Sequence, residues 1–326
     1  MTDLSVTAEA WPLREPFRFA GYTVAALEVI HVRLSKGGHQ GQGEGVVPIV
    51  FDVTMAQSLA QIEAARTALA AGRPAAEAAA ALPPGPARNA LDCALWDLRA
   101  KATGRSIWDL AGLPPGPAAQ EVDQTIGLGS PGEMAETARA SAHRVLKIKA
   151  DARLVTERVR AIRLARPDAE LIVDANQSWT PDLLAAHARA LADLGVAMIE
   201  QPLPAGQDTA LRDWTSPVPL YADESCHTTA DLPRLLGVYQ GINIKLDKTG
   251  GLTEALALAR AAREAGMGVM VGCMAGTSLS MAPAYVIGTL SNWSDLDGPL
   301  LLAGDRAAPM TYAGGALSHF TPALWG

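Results

Sequence analysis

Five charged residues recur through the middle of the chain at nearly equal steps. Lys149, Asp174, Glu200, Asp223 and Lys245 lie 25, 26, 23 and 22 residues apart, and each closes a short apolar run. Read in order, their signs are plus, minus, minus, minus, plus. One carboxylate after an apolar run is usually a helix cap or a solvated loop residue. Five in this order point instead to convergence on one site. Three carboxylates brought together cannot all stay ionised without a cation. Oxygen donors without histidine or cysteine suit a hard ion such as Mg²⁺, which takes six oxygens. Three protein ligands leave about three positions for water or a substrate carboxylate.

The two-residue period of a strand adds further candidates. Lys147 shares a face with Lys149, Asn176 with Asp174, and Asn243 with Lys245. Neighbouring ammoniums beside a divalent cation disfavour a charged lysine, which is what a general base at neutral pH needs. Asn176 and Glu224 are expected to support the metal ligands from behind. Near the C-terminal end, Asp295-Leu296-Asp297 sets two carboxylates on one face. With the metal's trio already complete, their natural partner is a substrate ammonium. A solvated loop pair is the plainer alternative. Cys273 reads as a buried thiol rather than a catalytic one.

Elements must hold these groups. Short strands over 122–126, 144–148, 171–173, 196–199, 219–222, 241–244 and 269–271 alternate with helical patterns. About eight such units imply a parallel sheet closed into a (β/α) barrel, with the chemistry at the C-terminal strand ends. The first 50 residues read as strands, with a turn at Lys36-Gly37-Gly38. The run Gly41-Gln42-Gly43-Glu44-Gly45 has the wrong spacing for a dinucleotide fingerprint, and no βαβ unit follows it. Helices are expected over 55–71, 75–82 and 87–102, with a break at Pro83-Pro84-Gly85-Pro86. The third carries Leu91, Ala94, Leu95 and Leu98 on one stripe, so Asp92 and Asp97 read as parts of a packing helix. A proline-rich break at 113–117 suggests a domain boundary.

Composition narrows the class. The 326 residues are 49% hydrophobic and 19% charged, with a net charge of −7 and three cysteines. This excludes a disordered chain, argues against nucleic acid as a partner, and leaves no disulfide framework. The N-terminus shows no signal-peptide pattern. Residues 265–294 carry no charge, but their hydroxyls, glycines and proline make a poor membrane span. The expected location is the cytoplasm, away from membranes. The oligomeric state stays open, a homo-oligomer included.

Lys147-Ile148-Lys149, Val173-Asp174-Ala175-Asn176, Ile199-Glu200-Gln201-Pro202, Ala222-Asp223-Glu224-Ser225 and the run from Asn243 to Gly251 together resemble the enolase superfamily, in its muconate-lactonizing-enzyme subgroup. Ala94-Leu95-Trp96-Asp97-Leu98 resembles that subgroup's capping helix. The resemblance implies an α/β fold: a (β/α)7β modified TIM barrel over 116–303, and an N-terminal α+β capping domain over 1–115 completed by the tail 304–326. It implies Mg²⁺ on Asp174, Glu200 and Asp223. Lys149 and Lys245 would then be acid/base catalysts on opposite faces of the substrate, moving a proton α to a carboxylate through an enolate.

Asp295 and Asp297 match the motif by which the dipeptide epimerases of this superfamily bind a substrate ammonium. Gly272-Cys273-Met274 and Trp11-Pro12-Leu13 resemble the Ala-Glu branch, which puts Lys147, Cys273 and Met274 among the substrate-binding residues. That branch holds the glutamate side chain with a loop arginine. Residues 21–24 here contain no basic residue, which leaves Arg18 as the candidate, or an apolar pocket around Phe19 and Tyr22. The expectation is a dipeptide epimerase inverting the C-terminal residue of L-Ala-L/D-Glu. The rivals are an N-acylamino-acid racemase or cycloisomerase, and a noncatalytic carboxylate-binding barrel.

Overall fold

The computed structural model describes residues 2–19, 22–47 and 53–326. It begins with an antiparallel sheet of β1 (Asp3–Phe19), β2 (Tyr22–Lys36) and β3 (His39–Val46). Helices α1 (Met55–Ala70), α2 (Ala75–Ala80) and α3 (Pro86–Thr103) follow, then the short α4 (Ile107–Ala111). The glycines of β3 serve packing. A Cβ on Gly41, Gly43 or Gly45 would stand 2.3, 2.2 or 2.1 Å from the backbone oxygens of Ala94, Ala90 and Pro86. Glycine at every second position therefore lets α3 lie directly on the strand. Leu91, Ala94 and Leu98 of its stripe are buried with Ile30, Val32 and Leu34 of β2.

The aspartates of α3 tie separate parts of the chain together. Asp97 accepts from the N–H groups of Gln42 at 2.8 Å and Gly326 at 2.7 Å, and Asp92 from the Thr253 hydroxyl at 2.6 Å. Strand β4 (Ala119–Glu121) then pairs with segments near the C-terminus.

Next come β5 (Gln124–Ile126), α5 (Pro131–Ala140), β6 (Val145–Lys149), α6 (Val155–Ala165), β7 (Glu170–Asp174), α7 (Pro181–Asp193) and β8 (Val196–Glu200). The succession continues through β9 (Leu220–Ala222), α8 (Leu232–Leu235), β10 (Gly241–Lys245), α9 (Leu246–Thr249), α10 (Leu252–Glu264), β11 (Gly268–Gly272), α11 (Ser278–Gly288) and β12 (Trp293–Ser294). The eight strands β5 to β12 hydrogen-bond in sequence order, and every pair is parallel. The outer strands meet where Asp123 N–H donates to Ser294 O at 2.9 Å and Thr125 N–H to the Asp297 carboxylate at 2.7 Å. This is the (β/α)7β barrel. The tail adds β13 (Tyr312–Ala313) and β14 (Ala316–Ser318), the latter paired with β4.

The pleat sorts the barrel interior into layers. Val145, Ile172, Met198, Tyr221 and Met270 form an apolar floor. Two residues further along their strands stand Lys147, Asp174, Glu200, Asp223 and Gly272, so the next layer is polar. Strands buried on both faces read as near-continuous apolar runs, as parallel strands do.

One expectation needs correction. Between β8 and β9 stands a single four-residue 3₁₀ turn, Asp208–Leu211, instead of a full helix. Pro202, Pro204, Gly206, Pro217 and Pro219 break any longer one. The uncharged stretch 265–294 folds as β11, a loop and the buried α11. Among the described residues, no helix is long and apolar enough to cross a membrane.

Candidate active site

Strand register places the five charged residues. Lys149 pairs with Asp174, and Asp174 with Glu200, across neighbouring strands. Lys149 Nζ donates to Asp174 Oδ2 at 2.7 Å, and Lys245 Nζ to Asp223 Oδ2 at 2.6 Å. A Cβ at position 272 would come within 2.9 Å of the Asn243 amide and 3.1 Å of Lys245 Cε, so Gly272 clears space for that lysine. Asn243 Nδ2 donates to Glu200 Oε1 at 2.7 Å. Lys147 Nζ lies 2.6 Å from Asp295 Oδ2, 2.8 Å from Glu200 Oε2 and 3.2 Å from Asp174 Oδ2.

Proximity sets the charge states. Burial works against ionisation of Asp174, but Lys149 and Lys147 hold its carboxyl down at about 2. Burial and the Asp174 charge push Glu200 up to about 7. Asp223 stays well below the usual range despite burial, because Lys245 and Lys248 flank it. Lys147 and Lys245 are also buried, and their carboxylates hold both ammoniums well above the usual lysine range. Glu224 rises to about 8 through burial and the Asp223 charge. Burial also raises the Cys273 thiol well above its ordinary value, as an uncharged wall residue requires. The all-oxygen donor set fits a hard divalent ion, which would relieve the repulsion that lifts Glu200.

Above these groups opens a cavity of about 630 Å³. Lys147, Lys149, Asn176, Asp223, Glu224, Lys245, Cys273, Met274, Asp295 and Asp297 all line it; Asp174 and Glu200 lie fully buried beneath. The opposite wall comes from the antiparallel sheet, through Leu13, Phe17, Val24, Leu27, Val46 and Val47. The side chains of Arg18, Phe19 and Tyr22 lie outside the described residues.

Some placements differ from expectation. Strand β7 ends at Asp174, and Asn176 has a φ of 42°, so the alternating pleat does not carry through to it. Its backbone N–H, rather than its amide, donates to Asp174 Oδ1 at 2.9 Å. Asp295 and Asp297 follow β12 instead of lying on it.

Three neighbours escaped the sequence reading. Lys248 Nζ donates to Asp223 Oδ1 at 2.6 Å and to Asn243 O at 2.9 Å. Its signal was a second lysine one helical turn beyond Lys245. Gln201 accepts from the N–H groups of Asp223 at 2.9 Å and Ser225 at 3.1 Å, shaping the loop after β9. Asp123 groups with Asp295 and Asp297, with carboxylate oxygens of all three within 4.8 Å of one another. Its position two residues before Thr125 was the available hint.

Known proteins extend this picture. Residues 1–112 match the mandelate racemase / muconate lactonizing enzyme N-terminal domain, and residues 132–301 match the enolase C-terminal domain-like family. The chain is 45% identical to the L-Ala-D/L-Glu epimerase of Escherichia coli over 320 residues, covering 97% of this chain and 99% of that one. It is 47% identical to an N-acetyl-D-glutamate racemase of Pseudoalteromonas sp over 246 residues, 75% of this chain and 78% of that protein. A crystal structure from Agrobacterium tumefaciens, of an enolase family member with homology to dipeptide epimerases, holds sodium and L-Ala-L-Glu with an ordered loop. It matches with a TM-score of 0.93 and 40% identity over 100% of both chains. On its matched domains, its fold and its sequence, this chain belongs to the mandelate racemase/muconate lactonizing enzyme family of the enolase superfamily.

Proposed function

We propose that the protein is a Mg²⁺-dependent dipeptide epimerase, an isomerase that inverts the α-carbon of the C-terminal residue, with L-Ala-L-Glu and L-Ala-D-Glu as first-choice substrates. One observation carries the reading. A single cavity is bordered by Lys149 and Lys245 on either side of a carboxylate trio, and by a separate acidic pair, Asp295 and Asp297, at the β5–β12 seam. The Escherichia coli and Agrobacterium relatives support the substrate class.

Asp174, Glu200 and Asp223 would hold Mg²⁺, which when bound polarises the substrate carboxylate and acidifies the α-hydrogen. The lysines do the proton work. With one lysine neutral, its Nζ takes the α-proton from one face, and the electron pair moves into the carboxylate as an enolate. The other lysine, charged, returns a proton from the opposite face and inverts the centre. The reverse reaction exchanges their roles. Asp295 and Asp297 bind the dipeptide's ammonium through charge-assisted hydrogen bonds, and Cys273 and Met274 wall that end. Arg18 is the candidate partner of a glutamate side chain. The site needs no membrane or nucleic acid, and the proposed setting is the cytoplasm. Solvent-deuterium incorporation at the α-carbon of L-Ala-L-Glu, with and without Mg²⁺, tests the reading; absence of exchange under both conditions returns the chain to the binding-barrel class.

A second reading has its own support. The Pseudoalteromonas racemase acts, by name, on an N-acetylated amino acid, and Asp295 already has an ammonium partner in Lys147. An acylated amine carries no ammonium. Equal turnover of N-acetylglutamate and free dipeptide would favour the racemase.

A further inference from the structure

A third acid stands behind the acidic pair. Asp123 sits at the entrance to β5, where its N–H binds Ser294 O across the barrel seam. The residue is 1% exposed, and among the described residues no hydrogen-bond donor reaches either of its carboxylate oxygens. Asp123 does not line the main cavity. It borders a separate polar cavity of about 190 Å³ together with Gln120, Asn292 and Ser294. Carboxylate oxygens of Asp123, Asp295 and Asp297 lie within 4.8 Å of one another.

Donors are shared unequally among the three. Asp295 takes the Lys147 ammonium at 2.6 Å, and Asp297 takes the Thr125 N–H at 2.7 Å. Asp123 has neither. Buried carboxylates this close cannot all be ionised; one keeps a proton and bonds to its neighbour. The proton belongs on the member without a compensating donor.

We infer that Asp123 is a positioning residue for the ammonium end of the cavity: its carboxyl stays protonated and donates to Asp295, fixing that carboxylate between Lys147 and the bound substrate. The inference rests on Asp295 and Asp297 being the ammonium clamp. The charge balance agrees with it. Burial and the charges of Asp295 and Asp297 push the Asp123 carboxyl well above the usual range, with Lys147 opposing. Once Asp123 is neutral, the cluster carries two negative charges, one facing Lys147 and one left for a substrate ammonium. An ionised Asp123 would instead compete for Lys147 and turn Asp295 away.

Two substitutions separate this role from simple packing. Asp123→Asn keeps an N–H donor where the carboxyl O–H stands, whereas Asp123→Ala removes it. Asp123→Ala is expected to raise KM for a free dipeptide by about tenfold, the scale of one hydrogen bond to a charged group, with a smaller change in kcat. Asp123→Asn is expected to stay within about threefold of wild type, a loss below that of one such bond. Infrared difference spectra of the purified full chain near pH 7, wild type minus Asp123→Asn, are expected to show the carbonyl stretch of a protonated carboxylic acid. Absence of that band, or equal damage from Asn and Ala, overturns the role of Asp123. The infrared measurement needs no substrate and does not depend on Asp123→Ala folding. Equal wild-type use of free and N-acetylated dipeptides overturns the clamp itself, even if the band is present, so the two failures are distinguishable.

Discussion

The molecule holds two groups of three buried carboxylates, and they are compensated very differently. Asp174, Glu200 and Asp223 stand on successive strand ends and face four ammoniums. Lys149 and Lys147 lie 2.7 and 3.2 Å from Asp174, Lys147 lies 2.8 Å from Glu200, and Lys245 and Lys248 each lie 2.6 Å from Asp223. Asp123, Asp295 and Asp297 gather at the seam between β5 and β12, and among the described residues only Lys147 reaches them at salt-bridge distance, through Asp295. The first group uses its charge to hold lysines over the cavity. The second is short of positive charge and therefore suited to recruiting it from a substrate. Lys147 bridges the two, so the affinity of one end depends on the geometry of the other.

The largest effects should come from the lysines of the first group. Lys149→Ala and Lys245→Ala are each expected to lower epimerisation by at least a hundredfold, within the usual range for loss of a general acid or base. Each variant should still exchange the α-proton of one epimer with solvent deuterium without inverting it. Proton NMR of L-Ala-L-Glu and L-Ala-D-Glu in deuterium oxide separates exchange from inversion. If both variants epimerise at the wild-type rate, the two-face mechanism is wrong.

Next in size is the carboxylate those lysines flank. Asp223→Asn keeps the shape but, on the proposed metal site, would leave an incomplete oxygen shell for Mg²⁺ and weaken the hold on Lys245 and Lys248. Activity and Mg²⁺ affinity, followed by turnover and titration calorimetry, should fall together by at least tenfold, as losses around a metal site commonly do. Wild-type activity undiminished by EDTA would remove the metal from the scheme.

The second group predicts a change of another kind. In the proposed binding mode the substrate ammonium lies away from the reacting carbon, so its contacts would act mainly on binding. Asp297→Asn should raise KM for free dipeptides about tenfold to a hundredfold, matching the roughly 1.5–3 kcal/mol of a charge-assisted bond. Asp295→Asn should cost more, because it also strips Lys147 of a buried partner. N-acetylated dipeptides should be nearly indifferent to Asp297→Asn. Steady-state kinetics on matched free and acetylated pairs checks the difference.

The contrast between the groups also explains what could be read in advance. The first group was legible because one βα unit repeats at a near-constant length, so a charge at each strand end becomes a periodic signal. Asp295 and Asp297 were legible as a local pair. Asp123 was not, because it meets them only through closure of the barrel, 172 positions before Asp295 in the chain. Lys248 was missed for a different reason: it reaches Asp223 from the one-turn helix after Lys245, off the strand pattern altogether. The same limit applies to Asn176, where a left-handed residue ends the pleat. The glycines of β3 excluded a nucleotide loop by their spacing, but their purpose emerged only once α3 was seen lying on them. The missing helix between β8 and β9 was signalled by prolines that the repeat pattern outweighed.

The smallest expected effect concerns a carboxylate outside both groups. Asp247 follows Lys245 by two residues yet, among the described residues, forms no ion pair at salt-bridge distance. Its Oδ1 accepts from Asn89 Nδ2 at 2.7 Å and from Val46 N–H at 3.0 Å, tying β3 and α3 to the barrel. Burial pushes its carboxyl up from an ordinary 3.8 to about 7, against those two hydrogen bonds. Because the folded value lies above the unfolded one, the folded state binds the extra proton between them. Its stabilising contribution is full below about 4, declines as pH rises to about 7, and is flat beyond. At full weight the interval is worth roughly 4 kcal/mol, and local relaxation should leave about 1–2 kcal/mol in practice. Asp247→Asn keeps the Oδ1 acceptor and never ionises. It should therefore match wild type in urea unfolding near pH 4 and exceed it by about 1–2 kcal/mol near pH 8. Parallel pH dependence in the two proteins would mean that the Asp247 carboxylate finds its counter-charge in Lys245 or Lys248, and the contrast between compensated and uncompensated carboxylates would have to be redrawn around α9.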